Sequence, residues 1–267
     1  MSTPKTSTRP QRLEEILQLL LDDEKSSAQS LAARFDVSVM TIHRDLDELQ
    51  RRGMVRKFHG GVSVARTGNH EIAASLRRNI ATENKQRLAE CAAGLLHPGQ
   101  SLFLDDSTTV AFMAQAVAGI EGLGISTNYL PLINTLAESG AAEVRAIGGA
   151  YNHSHESFLG LAAVRAVEEL RVDVAFVSTS TADADGFYHQ EEAIVELKMA
   201  MLRSARRSVL LMDSSKLGQS SMHRLGGWEH VDDLITDMQA PGDFLGQVKA
   251  LGVRVHVAPN APEGAAR

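Results

Sequence analysis

Five short polar clusters in the second part of the sequence carry the residue types of an anion site. They are Asp105-Asp106-Ser107-Thr108-Thr109, Thr127-Asn128, Gly148-Gly149, Ser178-Thr179-Ser180 and Asp213-Ser214-Ser215-Lys216. Ser107, Thr108 and Thr109, set at a helix N-terminus, can offer hydroxyl and backbone N–H groups to a phosphate. Gly148 and Gly149 allow close backbone approach. Asp105 and Asp213 can accept from sugar hydroxyls, Asn128 adds an amide, and Lys216 supplies balancing charge. The set suits a small polyhydroxylated anion. Each cluster alone also reads as a cap for the helix after it; five together point to a ligand.

A second chemistry lies in residues 35–62, where Ser38 can cap a helix whose buried stripe is Ile42, Leu46 and Leu49. Met40, Arg44, Asp47 and Arg51 then fall on the opposite side, flanked by Thr41 and His43. Ser38, Met40, Thr41, His43 and Arg44 are candidates for contacts to bases and phosphates, because the N-terminal part of such a helix enters the major groove. Arg44 can reach guanine O6 and N7 together. Arg51 lies further along and suits phosphate. Arg56, Lys57 and His59 follow in an alternating strand before a Gly60-Gly61 turn, the pattern of a basic wing.

Towards the N-terminus, Leu13, Ile16, Leu17 and Leu20 repeat at helical spacing. Ala28, Leu31, Ala32 and Phe35 do the same behind a Ser26 or Ser27 cap, and Gly53 stops the third helix. A winged helix-turn-helix over 11–62 is expected. Residues 63–81 show no clear period and read as a linker, with limited order at Thr67-Gly68-Asn69. From Thr82, read as an N-cap, to 258, short apolar runs alternate with helical patterns. The runs are 101–104, 123–126, 143–147, 172–177, 208–212, 233–236 and 253–257; the helical patterns include 82–95, 109–117, 130–137, 159–170 and 192–204. That alternation predicts an α/β, Rossmann-like domain with a parallel sheet. The polar clusters fall at its strand ends, where open sheets bind ligands. Residues 1–10 and 259–267 read as disordered tails.

Composition fits this division. Hydrophobic residues make up 43% of the chain, enough for a sizeable core. Residues 1–66 hold 11 Lys/Arg against 9 Asp/Glu, and the remainder 16 against 24. A basic head on an acidic body suits a DNA reader. The single cysteine, Cys91, forms no intramolecular disulfide and sits in an apolar helical pattern, which implies core packing and a reducing compartment. No run is long enough to span a bilayer and the N-terminus has no export core, so a cytoplasmic protein is expected. His153-x-His155-Glu156 has alternate ligands but no third partner at metal spacing, and no nucleotide fingerprint occurs. No metal or cofactor is expected. Trp228 is expected to pack rather than stack on a ligand.

The head resembles the DeoR family of bacterial transcription regulators through Leu31-Ala32, Phe35-x-Val37-Ser38, Thr41-Ile42-x-Arg44-Asp45-Leu46, Leu49, Gly53 and Arg56-x-x-His59-Gly60-Gly61. The body carries marks of the same family: Asp105-x-x-Thr108-Thr109, Thr127-Asn128, Gly148-Gly149, Asp173-x-Ala175-Phe176, Glu191-Glu192-Ala193, Lys198 and Asp213-x-x-Lys216. The resemblance implies an effector domain with the fold of ribose-5-phosphate isomerase and glucosamine-6-phosphate deaminase, and adds Glu192 to the effector residues. The family usually has Arg-Arg where this chain has His43-Arg44, and glycine where Ser107 stands. The 178–181 loop is also less glycine-rich, which suggests an unusual ligand within the class.

Three functions are compatible with these residues. One is a repressor of carbohydrate genes, binding double-stranded operator DNA as a homo-oligomer (dimer or tetramer) and released by a phosphorylated sugar. The second is an activator or dual regulator of the same type. The third is a sugar-phosphate enzyme using Glu192, Asp183 and Asp213 as acid or base.

Overall fold

A computed structural model describes residues 8–22, 25–51, 54–58, 60–64, 74–78, 81–140 and 142–259. Gly53, His59, Thr67-Gly68-Asn69 and most of both tails lie outside the described residues. The chain divides into two compact units, Met1–Ile72 and Ala73–Arg267.

In the first unit, α1 (Arg9–Asp22), α2 (Ala28–Phe35) and α3 (Val39–Arg51) precede an antiparallel hairpin of β1 (Val55–Phe58) and β2 (Gly61–Val64). Leu13, Ile16, Leu17, Leu20, Leu31, Ile42, Leu46 and Leu49 are buried, one apolar face per helix. Ser27 caps α2 by accepting from Ser30 N at 3.0 Å. Asp36 makes the turn between α2 and α3 in the left-handed region, φ 51°. Gly60, φ +87°, turns the hairpin. Asp45 is buried and accepts from Arg12 Nε at 2.7 Å and Arg9 Nε at 3.1 Å, which ties α3 to α1. Ser26 and Val62 exchange backbone bonds of 3.0 and 2.8 Å, which dock the hairpin.

The second unit begins with α4 (Ala74–Arg77), which together with the β2 residues Ser63 and Val64 falls inside the 63–81 stretch that has no clear sequence period. Then come α5 (Thr82–Ala93), β3 (Ser101–Leu104), α6 (Met113–Ala116), β4 (Gly124–Thr127), α7 (Leu130–Ser139), β5 (Glu143–Ala146), β6 (Ala150–Asn152), β7 (Ser157–Leu159) and α8 (Leu161–Glu168). The chain continues with β8 (Val172–Val177), β9 (Thr181–Asp183), β10 (Gly186–His189), α9 (Glu192–Arg203), β11 (Ala205–Leu211), β12 (His223–Gly226), β13 (Asp233–Asp237), α10 (Gly242–Ala250) and β14 (Arg254–Ala258).

All seven apolar runs are strands of one parallel sheet, ordered β14-β13-β11-β8-β3-β4-β5. The chain builds outward from β3 through β4 to β5, then returns to β8 on the other side of β3. β3 and β8 therefore flank a topological switch point. Residues alternate across the sheet: Leu102 and Leu104 pack in a cluster with Leu88, Met113 and Leu132, while Phe103 packs with Ala163, Ile194 and Met201. Phe244, Val248 and Trp228 extend the second face. Trp228 is buried, and its indole N–H donates to the Asp183 carbonyl at 3.0 Å. Among the described residues, no helix is long and apolar enough to cross a membrane.

Several elements differ from expectation. Ala81, in the left-handed region, stands at the N-cap of α5, and Thr82 is the first helical residue. The helix expected over 109–117 is a 3-10 turn, Val110–Phe112, followed by α6. Leu159 ends β7, and α8 starts only after Gly160 turns the chain at φ +88°. The hairpin β6–β7 and the antiparallel sheet β12-β10-β9 are additional, as is α10, whose Gly242 and Gly246 weaken its helical pattern.

Candidate DNA interface and candidate effector site

On the head, Met40, His43, Arg44, Asp47 and Arg51 of α3 are exposed, as is Arg56 of β1. Ser38 uses its hydroxyl at the start of α3, accepting from Thr41 N at 3.1 Å and lying 2.9 Å from Thr41 Oγ1. Thr41 is therefore half-buried in the cap, and Met40, His43 and Arg44 present the outward surface. Arg51 is paired with Glu48, and Lys57 with Asp47. The Lys57 ammonium holds the Asp47 carboxyl below its ordinary pKa. Part of the positive charge of α3 and β1 is thus already balanced within the head.

In the second unit, the C-terminal ends of β3 and β8 carry a buried polar network. Asp105 Oδ1 accepts from Ser107 N at 3.0 Å and Ser107 Oγ at 2.5 Å. Its Oδ2 accepts from Ser178 N at 2.8 Å and from Lys198 Nζ. Four internal donors match the four lone-pair sites of a carboxylate, so Asp105 is a frame residue rather than an acceptor of ligand hydroxyls. Asp106 takes Lys198 Nζ at 2.9 Å and Ser157 Oγ at 2.7 Å. Burial raises its pKa, but Lys198, His155 and Ser157 outweigh that and hold the carboxyl well below the usual range. The same pairing keeps Lys198 charged against its own burial.

Ser107 is likewise internal, since its Oγ also accepts from Val110 N at 3.1 Å and starts the following turn. Thr108 and Thr109 are buried beside it. Gly149 is dictated by packing: a Cβ there would sit 2.5 Å from the Leu159 carbonyl. Gly148 is exposed, with open space where its Cβ would be. Asp213 caps the turn after β11 through Ser215 N at 3.2 Å, and Lys216 Nζ lies 3.3 Å from Ser178 Oγ and 3.8 Å from Asp213. Glu192 is exposed in the first turn of α9, whereas its neighbour Glu191 contacts His155 at 3.0 Å. Asp183 is taken up in the β9–β10 turn, accepting from Asp185 N, Gly186 N and Tyr188 O–H.

Two groups next to this network lack a hydrogen-bond partner among the described residues, as does Thr236 Oγ1 on β13. Asn128 directs its amide N–H to the Phe158 carbonyl at 3.1 Å and toward Asp106 at 3.4 Å, which fixes its orientation. Its Oδ1 is buried without a hydrogen-bond partner among the described residues, and so is the Tyr129 hydroxyl. Burial pushes the Tyr129 pKa up to about 12. A buried polar atom without a partner costs free energy unless a water or another molecule reaches it.

Three participants are not legible from spacing. Lys198 enters the sequence reading only through family resemblance, although it joins Asp105 and Asp106. Tyr129 lies between the Thr127-Asn128 cluster and the 130–137 helical pattern and belongs to neither. Lys85 lies in the polar run Glu83-Asn84-Lys85-Gln86-Arg87, yet it is buried. Burial, followed by the nearby positive charges of Lys216 and Arg77, lowers its pKa to about 7. Its Nζ donates to the Arg77 carbonyl.

Comparison with known proteins matches residues 12–67 to the DeoR-like helix-turn-helix domain and residues 80–238 to the DeoR C terminal sensor domain. The chain is 30% identical to the glycerol-3-phosphate regulon repressor of Escherichia coli (strain K12) over 240 residues, covering 86% of this chain and 92% of that protein. It is 27% identical to a putative aga operon transcriptional repressor of Escherichia coli O157:H7, covering 92% of each. It is 29% identical to the L-fucose operon activator of Haemophilus influenzae, covering 87% of this chain and 94% of that protein. Among solved structures, a Pyrococcus horikoshii OT3 translation initiation factor eIF-2B is similar with TM-score 0.43 and 12% identity, over 86% of this chain and 90% of that one. A ribose-5-phosphate isomerase bound to phospho-erythronic acid is similar with TM-score 0.38 and 13% identity, over 50% and 52%.

Proposed function

Because the chain belongs to the DeoR family of DNA-binding transcriptional regulators, we propose that it controls carbohydrate genes as a repressor that a phosphorylated sugar releases from its operator. Its helix-turn-helix domain binds DNA and its sensor domain senses an effector; the family is not enzymatic. Asp183 and Asp213, which an enzyme reading needs as acid or base, hold turns instead. Among relatives, the repressors above favour repression, and the L-fucose operon activator keeps activation as the second reading.

In this proposal Met40, His43 and Arg44 read bases and nearby phosphates, with Ser38 and Thr41 at the helix start and Arg51, Arg56, Lys57 and His59 on the backbone. A homo-oligomer, dimer or tetramer, places paired heads on a symmetric operator. The effector lies at the strand ends. Thr108, Thr109, Gly148 and Glu192 meet its polar groups, while Asp105, Ser107, Gly149 and Asp213 hold the frame. Lys216, together with Lys85, receives the phosphate. Asn128 Oδ1 accepts a sugar hydroxyl.

The observation that carries the ligand class is the pairing of unmet groups. Asn128 Oδ1 and the Tyr129 hydroxyl lack partners among the described residues, and Lys85 is a buried ammonium with only a neutral carbonyl as its hydrogen-bond acceptor there. Hydroxyls and a phosphate on one small molecule would satisfy all three. The test is binding to DNA upstream of the chain's own gene, across salt concentrations and a panel of phosphorylated sugars. Specific binding weakened by one of the sugars is expected. Salt-sensitive but sequence-indifferent binding would falsify the regulator of a defined operator, and steady turnover of a sugar phosphate would restore the enzyme.

A further inference from the structure

Resting on the effector site proposed above, we propose that α4 is a clasp across that site, and that the effector opens it by taking the Lys85 ammonium from the Arg77 carbonyl. Three contacts hold the clasp. Lys85 Nζ donates to Arg77 O. The Arg78 guanidinium lies 2.9 Å from the Glu156 carboxylate. Ala74 N donates to the Ser154 carbonyl at 2.8 Å.

The first contact is replaceable on chemical grounds. A neutral carbonyl is a weaker acceptor for an ammonium than a phosphate oxygen, because ionised acceptors make roughly twice as strong a bond. Lys85 has the positive charges of Lys216 and Arg77 close enough to depress its pKa, so an arriving anion also relieves cation–cation repulsion. Asp213 is the carboxylate acting on it in the opposite direction.

The other two contacts reach the site by another route. Ser154 and Glu156 belong to the turn between β6 and β7, where Glu156 is held at φ 54°, a conformation uncommon for a residue with a side chain. The next two residues bind site groups directly: Ser157 Oγ donates to Asp106 at 2.7 Å, and the Phe158 carbonyl accepts from Asn128 at 3.1 Å. A ligand seated on Asn128 therefore acts on the turn that holds Ala74 and Arg78, while its phosphate acts on Lys85. In sequence, α4 follows the stretch that leads from the DNA-binding head.

The experiment uses the full chain with inorganic phosphate as probe, against sodium chloride at equal ionic strength. It measures hydrogen exchange of the 74–78 amides and phosphate affinity by calorimetry. Phosphate should speed exchange in this segment by about tenfold, the effect of ~1.4 kcal/mol on an opening equilibrium. A Arg78→Gln/Glu156→Gln variant should exchange rapidly without phosphate and bind phosphate correspondingly more tightly, since opening no longer opposes binding. The swap Arg78→Glu/Glu156→Arg should restore slow exchange, which separates loss of the ion pair from general unfolding. Phosphate binding with unchanged 74–78 exchange, or no gain in affinity in the Gln variant, overturns the clasp while leaving the effector site in place. No binding of phosphate or of any phosphorylated sugar overturns the site itself, and the clasp with it.

Discussion

Lys198 Nζ lies 2.9 Å from Asp106 Oδ1 and also donates to Asp105, so one buried ammonium joins two adjacent carboxylates at the end of the central strand β3. Removing it leaves two buried charges without a counter-ion. Lys198→Met should therefore destabilise the sensor domain by about 3–5 kcal/mol, the usual cost of breaking a buried pair. Urea denaturation measures this. The triple variant with Asp105→Asn and Asp106→Asn should recover much of the loss; equal instability in both variants would show that packing, not charge, is responsible.

Acid should act on the same unit through two carboxylates. Asp106 is held low by Lys198 despite burial. Asp233 is also held low, because Arg254, Arg207 and His256 together outweigh its desolvation. Arg207 contacts it at 2.7 and 2.9 Å, Arg254 at 2.9 and 2.8 Å, and His256 at 2.7 Å. A folded pKa below the unfolded value contributes stability above roughly pH 4 that is lost as pH falls through the folded value. Stability measured from pH 6 downward should fall steeply below about pH 4, and Asp233→Asn should flatten that slope. An unchanged slope would place the acid sensitivity elsewhere.

The sheet was legible because parallel strands buried on both faces read as continuous apolar runs, such as 172–177. The place of the proposed site rests on the polar residues that end those runs. The roles within it did not follow. Asp105 has the same sequence signature whether its oxygens face a ligand or, as here, Ser107, Ser178 and Lys198. Those partners come from elements as far apart as β8 and α9, and spacing carries no record of them. Lys85 was hidden for the same reason: its ammonium donates to the Arg77 carbonyl of α4, which lies in a stretch with no period. The β9, β10 and β12 strands are three or four residues long, too short for alternation to show.

Lys85 predicts how effector affinity depends on pH. Its folded pKa is lowered to about 7 by burial and by Lys216 and Arg77, so the free protein loses this charge as pH rises past that point. Phosphate binding favours the ammonium, hence a proton must be taken up on binding above pH 7. Sugar phosphates are already dianionic there, their second pKa being about 6. Affinity should fall by up to about tenfold per pH unit between roughly pH 7.5 and 9. Lys85→Arg keeps its charge throughout and should flatten the profile in calorimetry. Unliganded stability has the opposite trend, rising with pH from about 7 toward 10, because the unfolded chain binds the extra proton.

Tyr129 separates stability from binding. Its hydroxyl is buried and unpartnered among the described residues. Tyr129→Phe removes an unsatisfied donor, so the unliganded protein should keep its melting temperature or gain about 1 kcal/mol. Effector affinity should drop by about tenfold, one hydrogen bond of ~1.4 kcal/mol. A destabilised variant with full effector affinity would contradict a ligand at this hydroxyl.

On the head, Arg44 and Arg12 should fail in different ways. Arg44 is exposed on the outer face of α3. Arg44→Ala should leave the melting temperature unchanged and weaken operator binding by about 1–3 kcal/mol, with specificity relaxed at one base pair, if it reads guanine. A purely phosphate-contacting Arg44 would instead weaken all sequences alike and shallow the salt dependence by about one unit of slope. Arg12 is buried against Asp45 at 2.7 Å. Arg12→Ala leaves that carboxylate inside α3 with only the more exposed Arg9, at 3.1 Å, as counter-ion. The head should lose stability by several kcal/mol and all DNA affinity with it, while the sensor domain keeps its own unfolding transition. Two-probe denaturation checks this, since an Arg12→Ala chain with a stable head but no operator binding would move Arg12 from the core to the DNA face.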